Sequence, residues 1–185
     1  MAWKTRGLRG SDLENIINST IETLRNDGLA LLQKVPTPIT PVRLDGKGHI
    51  TLAYFEQKST VDYIGAVQGI PVCFDAKECK VDTFPLSNIH EHQMKFMEDM
   101  EKQGGLSFFL LYFSHKKEYY FLSFDEASVF WKCMTDGGRK SFRYDELKKE
   151  HFLKTNHLNE ILFLDGINLY LREKESREKA GCETT

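Results

Sequence analysis

Hydrophobic and polar positions along the chain predict a helix, a strand and a projecting hairpin in its first third. Apolar residues recur at helical spacing over residues 12–27, after the capping-box pattern Ser11-Asp12-Leu13-Glu14, and Gly28 ends the run. Residues 29–34 are typical of a strand that stops before a group of prolines. Residues 42–44 and 50–55 predict a hairpin with little apolar bulk, so we expect residues 39–56 to project from the body.

A second hairpin is predicted over residues 60–77, where two β-prone runs flank the turn Gln68-Gly69. In that register opposed residues have numbers that sum to 137, so Asp62 faces Asp75 and Thr60 faces Lys77 on one face of the pair. The other face is apolar and is expected to pack against a core; it carries Val61, Tyr63, Gly65, Val67, Ile70, Val72, Phe74 and Ala76.

The second half of the chain predicts two more helices and a buried strand pair. Residues 87–103 and 125–134 have helical patterns, residues 106–113 are almost wholly apolar, and residues 119–124 follow across a polar turn. Residues 158–170 fit a helix or a strand equally well. We therefore expect one domain over residues 1–170 and a charged, disordered tail over residues 171–185.

Two opposed carboxylates are the candidate chemistry of the second hairpin. Asp62 and Asp75 would have Cβ atoms roughly 5 Å apart, where like charges destabilise a sheet unless something neutralises them. A hard divalent cation such as Mg²⁺ suits this pair, and Lys77 adds a positive charge on the same face. A solvent-facing strand pair with scattered charges is the alternative, and the spacing alone leaves both open.

Gln93 and Glu14 also have two interpretations each. Gln93 falls within the apolar stripe of its predicted helix, where its amide either makes a structural hydrogen bond to the backbone or supplies or orients a metal ligand beside Asp62 and Asp75. Glu14 either closes the capping box or points into the acid cluster as an outer carboxylate.

Composition describes an ordinary globular protein. Of 185 residues, 41% are hydrophobic and 28% charged, and neither a membrane-length apolar run nor a signal-peptide pattern is present, so we expect a cytoplasmic protein. The four cysteines lack C-x-x-C spacing, which favours reduced thiols over a zinc site. A net charge of −2 argues against indiscriminate binding of polyanions, although basic clusters precede Asp12 and occupy residues 139–143.

The order of these motifs resembles the RecU family of Holliday-junction resolvases, within the PD-(D/E)xK nuclease superfamily. Order and spacing match over roughly residues 9–148. The matching motifs are Arg9-Gly10-x-x-Leu13-Glu14, Pro36-Thr37-Pro38, Thr60-x-Asp62-Tyr63-x-Gly65, Phe74-Asp75-Ala76-Lys77-Glu78, Phe84-Pro85-Leu86-x-Asn88, His90-x-His92-Gln93, Gly138-Arg139-Lys140-Ser141 and Asp145-Glu146-Leu147. The chain departs from the family in having Asp75 where glutamate is more common, and in a poor match after about residue 150.

The resemblance implies a restriction-endonuclease-like α/β fold, an αβββαβ core whose mixed central sheet is flanked by helices. It further implies that Thr60, Asp62, Asp75 and Gln93 surround Mg²⁺, for which Mn²⁺ is a substitute. Lys77 would stabilise the transition state and Glu14 would be a supporting acid. The implied enzyme is a homodimer that nicks two strands of a four-way junction symmetrically in DNA recombination and repair, with the segment at residues 39–56 entering the junction centre.

Phosphate contacts are expected from basic residues that do not read bases. The residues are Arg9, Lys34, Arg43, Lys47, Arg139 and Lys140. Two other functions remain open: a nuclease of the same superfamily that acts on other branched or duplex DNA, and a junction-binding or recombinase-modulating protein in which cleavage is secondary.

Overall fold

The computed structural model describes residues 11–36, 39–55 and 60–182. The first half contains α1 (Ser11–Asn26), β1 (Ala30–Lys34), β2 (Ile39–Leu44), β3 (Ile50–Phe55), β4 (Tyr63–Val67) and β5 (Ile70–Cys79). The second half contains β6 (Thr83–Pro85), α2 (Glu91–Lys102), β7 (Leu106–Phe113), β8 (Glu118–Ser123), α3 (Phe124–Thr135), β9 (Ser141–Arg143), β10 (Phe152–Leu153) and α4 (Phe163–Cys182). Short 3₁₀ turns lie at Leu86–Asn88, Tyr144–Glu146 and Lys149–His151.

A six-stranded mixed sheet forms the centre of the molecule, in the order β1-β4-β5-β7-β8-β10. The β5 and β7 strands are parallel and are joined by a crossover through α2, whereas the remaining neighbours are antiparallel. Apart from the β2–β3 hairpin and the short β6, which lies outside the central sheet, the chain begins α1, β1, β4, β5, α2, β7. The predicted αβββαβ core with a mixed sheet and flanking helices is therefore confirmed.

Both faces of the sheet are buried. One core cluster packs α1 and α4 against the sheet and includes a run of stacked rings from Tyr63 through Phe74 and Phe108 to Phe121, with centroid separations of 4.6, 4.8 and 4.2 Å. The opposite cluster packs α2 and α3 on the other face and contains Met97 and Phe109. Because both faces of the sheet are covered, the strand that carries Asp75 lies in the protein interior, away from solvent.

The predicted register of the β4–β5 hairpin is confirmed, with Ile64 opposite Cys73 and Ala66 opposite Pro71. Gln68 and Gly69 have φ angles of 48° and 88°, the two positive values that a type I′ turn requires. The placement of Val61 on the same apolar face as Tyr63 is wrong. Val61 packs into the cluster with α2 and α3, because the chain bends over residues 60–62 before β4 begins.

The β2–β3 hairpin is a two-stranded sheet of its own. Its strands carry several apolar side chains that are about half exposed, which agrees with the expectation of a projecting element. These are Ile39, Val42, Leu44, Ile50, Leu52 and Tyr54. The predicted boundary at residue 56 lies outside the described residues.

The expectation of a disordered tail from residue 171 is wrong as far as residue 182. Helix α4 continues to Cys182, and its charged side chains bind partners on the body: Glu173 contacts His151, Lys174 contacts Glu101 and Arg177 contacts Asp125. The many charged residues of this segment predicted a solvated tail, but three of their side chains form ion pairs with residues that are distant in the sequence. Within the described ranges, we find no helix long and apolar enough to cross a membrane.

Candidate active site

Asp75 lies in the middle of β5 and its side chain is fully buried. Lys77 is two residues further along the strand and therefore projects on the same face, where its Nζ lies 2.5 Å from Asp75 Oδ1. Gln93, near the start of α2, donates a hydrogen bond from Nε2 to Asp75 Oδ2. A buried carboxylate is thus held between a cation on its own strand and an amide on the covering helix.

The environment of Asp75 favours its neutral form. Burial, opposed by Lys77 and reinforced by the nearby Asp62 carboxylate, raises the pKa of Asp75 to about 7. Taking a carboxylate out of water is costly unless charges or hydrogen bonds compensate it. The site therefore contains negative charge that the protein neutralises only in part.

Asp62 precedes β4 by one residue, next to the last ladder pair, Tyr63 with Phe74. Its Oδ2 accepts a hydrogen bond of 3.0 Å from the backbone N–H of Ala76, the residue after Asp75. The side chain is half-buried. Asp62 is close enough to Asp75 to raise its pKa, but the predicted pairing of the two residues across the hairpin is not formed, because the ladder ends at Tyr63 and Phe74. Thr60 lies in the exposed bend before Asp62.

Gln93 makes the backbone hydrogen bond of the first interpretation and also contacts Asp75, the predicted metal ligand. Its Oε1 accepts a hydrogen bond of 3.0 Å from the backbone N–H of His90, while its Nε2 binds Asp75. The two partners assign the amide orientation, since a flipped amide would set oxygen against carboxylate and nitrogen against N–H. With its oxygen bound to the backbone, Gln93 orients Asp75 in this structure.

Glu14 faces the same group of acids from α1. It forms an ion pair with Lys34 on β1, and both residues line a cavity of about 250 Å³ together with Asp62. Glu78 lines this cavity too and was missed by the sequence reasoning. The available signal was the strand alternation, which turns residues 76 and 78 to the face opposite Asp75 and Lys77.

The acids fit a hard divalent cation that keeps much of its water. Asp75 Oδ1 is buried and, apart from its contact with Lys77, accepts no hydrogen bond from the described residues. In the part of the chain that the structure describes, no three histidine, cysteine, aspartate or glutamate residues form a metal-ligand group. Mg²⁺ is usually bound through only one or two carboxylates, so Asp62 and Asp75 suffice for such a site.

The residues predicted to bind phosphates are spread over several surfaces. Lys34 is paired with Glu14 at the acid cluster, and Arg139 is paired with Glu146 at 2.6 Å. Arg43, Lys47 and Lys140 are exposed, the first two on the β2–β3 hairpin. Arg9 lies outside the described residues.

Comparison with known proteins gives a match over most of the chain. The family model "Recombination protein U" matches residues 8–169. The chain belongs to the RecU family. A Holliday junction resolvase RecU from Geobacillus sp. (strain WCH70) is 40% identical over 167 residues, covering 87% of this chain and 83% of that protein. The RecU of Lactococcus lactis is 38% identical over 176 residues, covering 89% and 82%.

The RecU match extends beyond the 9–148 range that the motifs indicated and stops within α4. Among solved structures, the Holliday junction resolvase Hjc of Archaeoglobus fulgidus aligns with a TM-score of 0.34 at 9% identity, over 56% of this chain and 74% of that one. A likeness of that size adds nothing to the family match.

Proposed function

We propose that this RecU-family chain is a crossover junction endodeoxyribonuclease, an Mg²⁺-dependent enzyme that resolves four-way DNA junctions by symmetric nicking. The observation that carries the proposal is the buried Asp75, held by Lys77 and Gln93 with Asp62 beside it. Family membership supports the junction as substrate, since the RecU relatives are named as Holliday junction resolvases.

Hydrolysis of a phosphodiester needs an activated water and positive charge to meet the charge that develops on the phosphate. Asp62 and Asp75 would hold the cation, which supplies a water of lowered pKa and neutralises charge on the phosphate. Gln93 keeps the Asp75 carboxylate in one orientation, and Lys77 places its ammonium where the attacked phosphate would lie. Thr60 would complete the cation's shell from the exposed bend, and Glu14 would act as a supporting acid.

The β2–β3 hairpin supplies a candidate contact with the open centre of the junction. Strand alternation puts Ile50, Leu52 and Tyr54 on one face, each about half exposed. Aromatic and apolar side chains can pack on unstacked bases, while Arg43 and Lys47 would meet phosphates. Two equivalent nicks require two active sites, so we propose a homodimer as the acting form. We also propose a cytoplasmic location and a recombinase protein as a further partner.

The variant Asp75→Asn tests the assignment, because it keeps the shape of the side chain but removes its charge. We expect at least a 100-fold loss of Mg²⁺-dependent cleavage of a synthetic four-way junction, as for loss of a group that holds a catalytic cation (about 10²-fold or more). Junction binding, measured by gel shift in Ca²⁺, should persist. Asp136→Asn, an exposed aspartate after α3, serves as the control and should cleave normally. Undiminished nicking by Asp75→Asn would rule out the assignment.

Binding and cleavage assays on four-way junctions and linear duplexes also distinguish the two alternative functions. Equal cleavage of the junction and of a linear duplex with matched sequence would favour a nuclease of broader substrate range. Binding of the junction by the unaltered protein without cleavage in Mg²⁺ or Mn²⁺ would favour a junction-binding or recombinase-modulating protein.

A further inference from the structure

Helix α4 contacts the core through a buried carboxylate at the far end of α2. Lys174 Nζ forms an ion pair with Glu101, whose side chain is only 9% exposed, and the Tyr170 hydroxyl donates to the same carboxylate at 3.4 Å. The ammonium of Lys174 also lies 5.3 Å from the centre of the Tyr170 ring. A charge from α4 is therefore fixed on the last turns of α2.

Glu101 connects α2 to the two central strands. It accepts a hydrogen bond of 2.5 Å from the backbone N–H of Ser107, at the start of β7. The buried Ser107 hydroxyl donates to the carbonyl of Met97 on α2 at 3.1 Å and lies 3.3 Å from the Cys73 thiol. Cys73 is two residues before Asp75 on β5 and is paired with Ser107 across the two strands. Glu101 therefore holds α2 on β7, and Ser107 connects that contact to the strand that carries the candidate site.

The two ends of α2 are thus held on neighbouring strands, the first on β5 at Asp75 and the last on β7 at Ser107. Glu101 is eight residues after Gln93, a distance of about 12 Å along a helix that rises 1.5 Å per residue. At the first end Gln93 binds Asp75, and at the other end Glu101 binds Ser107 and Lys174. A helix held at both ends has little freedom to slide or rotate, so a shift at one end moves the other.

We propose that Lys174 is a positioning residue: by holding Glu101 it sets the position of α2, and through α2 it keeps the Gln93 amide against Asp75. The inference rests on the proposed function of Asp75. Lys174 lies beyond the residues 8–169 that match the RecU family model, so family membership does not assign it a role.

The charge of Lys174 matters because the surroundings of Glu101 disfavour a negatively charged carboxylate. Burial raises the pKa of Glu101, with Lys174 opposing the shift, and the C-terminal end of a helix repels negative charge. Without the ammonium, a buried carboxylate would lose its counter-charge and would have to reach water or become neutral. Either change disturbs the bond to Ser107 that holds the last turns of α2.

The test compares Lys174→Met with Arg177→Met. Both variants remove one ion pair of α4, but Arg177 binds Asp125 on α3 rather than α2. We expect Lys174→Met to lower the single-turnover cleavage rate at saturating junction about tenfold, below the roughly 100-fold that a 1 Å misplacement can cause. Its junction affinity should stay within about twofold, whereas Arg177→Met should keep both values. Lys174→Arg should restore the rate.

A double variant of Lys174 and Gln93 distinguishes a positioning role of Lys174 from a general loss of rigidity in the protein. In a Gln93→Ala background, Lys174→Met should have no further effect on the rate, because the effect acts through Gln93. In the metal-free protein, the side-chain amide signals of Gln93, assigned by their loss in Gln93→Ala, should shift in Lys174→Met and not in Arg177→Met. This NMR measurement needs neither substrate nor cleavage.

Unshifted Gln93 amide signals in Lys174→Met, or a rate loss that adds fully to that of Gln93→Ala, would overturn the inference. If Lys174→Met does not fold, Glu101→Gln takes its place, since the ion pair is lost and a neutral amide oxygen accepts a weaker hydrogen bond from Ser107 than a carboxylate does. Failure of the proposed function is seen separately, as normal cleavage by Asp75→Asn. The amide shifts decide the positioning role in either case.

Discussion

Gly65 is the residue at which β4 comes closest to its neighbour. A Cβ atom at this position would lie 1.9 Å from the carbonyl oxygen of Leu31 and 2.8 Å from the Cα of Leu32. Both atoms belong to the backbone of β1, so relief would require the strands to separate. Hydrogen bonds between β1 and β4 hold the start of β4, next to Asp62, and they depend on this close approach.

We predict that Gly65→Ala lowers the free energy of unfolding by about 3 kcal/mol, the scale of overpacking against immovable atoms. Chemical denaturation followed by circular dichroism measures the change. Gly46→Ala is the matched control, because no atom lies within 4 Å of its added Cβ, and it should change stability by less than about 0.5 kcal/mol. A Gly65→Ala protein as stable as the control would show that β1 and β4 can separate without cost.

At the scale of single residues, the sequence predicted the acidic residues of the candidate site better than the contacts that hold the surrounding helices in place. The period-two alternation of strands placed Asp75 and Lys77 on one face, and the turn residues gave the register as far as Tyr63 and Phe74 but not the bend that carries Asp62. It could not show that Glu101 binds Lys174, because those residues are 73 positions apart and meet only after α4 packs. Their charges alone suggested solvent exposure.

At the scale of elements, helix α4 is the part that periodicity failed to predict. The pattern of residues 158–170 is compatible with either a helix or a strand. Their apolar side chains pack against a sheet formed by other parts of the chain, so the local pattern does not decide between the two. The later part of the helix is also held by charged contacts, among which Glu173 meets the buried His151 at 3.1 Å. His151 also lies 3.4 Å from Glu126 on α3, so its imidazole joins two helices.

This imidazole should make the docking of α4 depend on pH. Burial lowers the pKa of His151, but contacts with Glu126 and Glu173 outweigh it and raise the pKa above the ordinary value. Glu173 also meets Lys148 at 3.3 Å, and Glu126 accepts from the Tyr120 hydroxyl. A raised folded-state pKa gives stability that is complete below the unfolded-state pKa of about 6.5 and is lost as pH rises through the folded-state value.

We therefore predict that His151→Gln lowers the free energy of unfolding most at about pH 6 and less as the pH rises toward 8. The measurement is the difference in urea midpoint between the two proteins across this range. His157→Gln, an exposed histidine before α4, should show no such trend. A gap between His151→Gln and the unaltered protein that is constant with pH would mean that His151 acts by packing alone.

At the scale of the whole molecule, net charge and the proposed dimer would govern how the protein meets DNA. The chain carries a net charge of −2, and the described cations Lys34 and Arg139 are already paired with Glu14 and Glu146. Contact with phosphates would compete with these pairs, which are exposed and therefore weak, contributing at most about 1 kcal/mol each. A dimer would double the number of phosphate contacts without raising the charge density of either protomer.

A dimeric unit makes a specific prediction for mixed proteins. If unaltered chains are unfolded and refolded together with a ninefold excess of Asp75→Asn chains, most active chains will pair with an inactive one. Such mixed dimers should bind the junction but nick a single strand, so singly nicked product should accumulate. Paired nicks per active chain should fall about tenfold, because about one active chain in ten has an active partner. Sedimentation should show twice the mass of one chain.

The control mixes the two proteins after each has folded alone, under conditions in which subunits do not exchange. Competition for substrate then lowers the total rate, but each active dimer still makes both nicks, so the ratio of paired to single nicks should remain that of the unaltered protein. If refolding together gives the same ratio as late mixing, the two nicks do not depend on two active chains in one assembly. The proposed dimer would then be wrong even if the site at Asp75 stands.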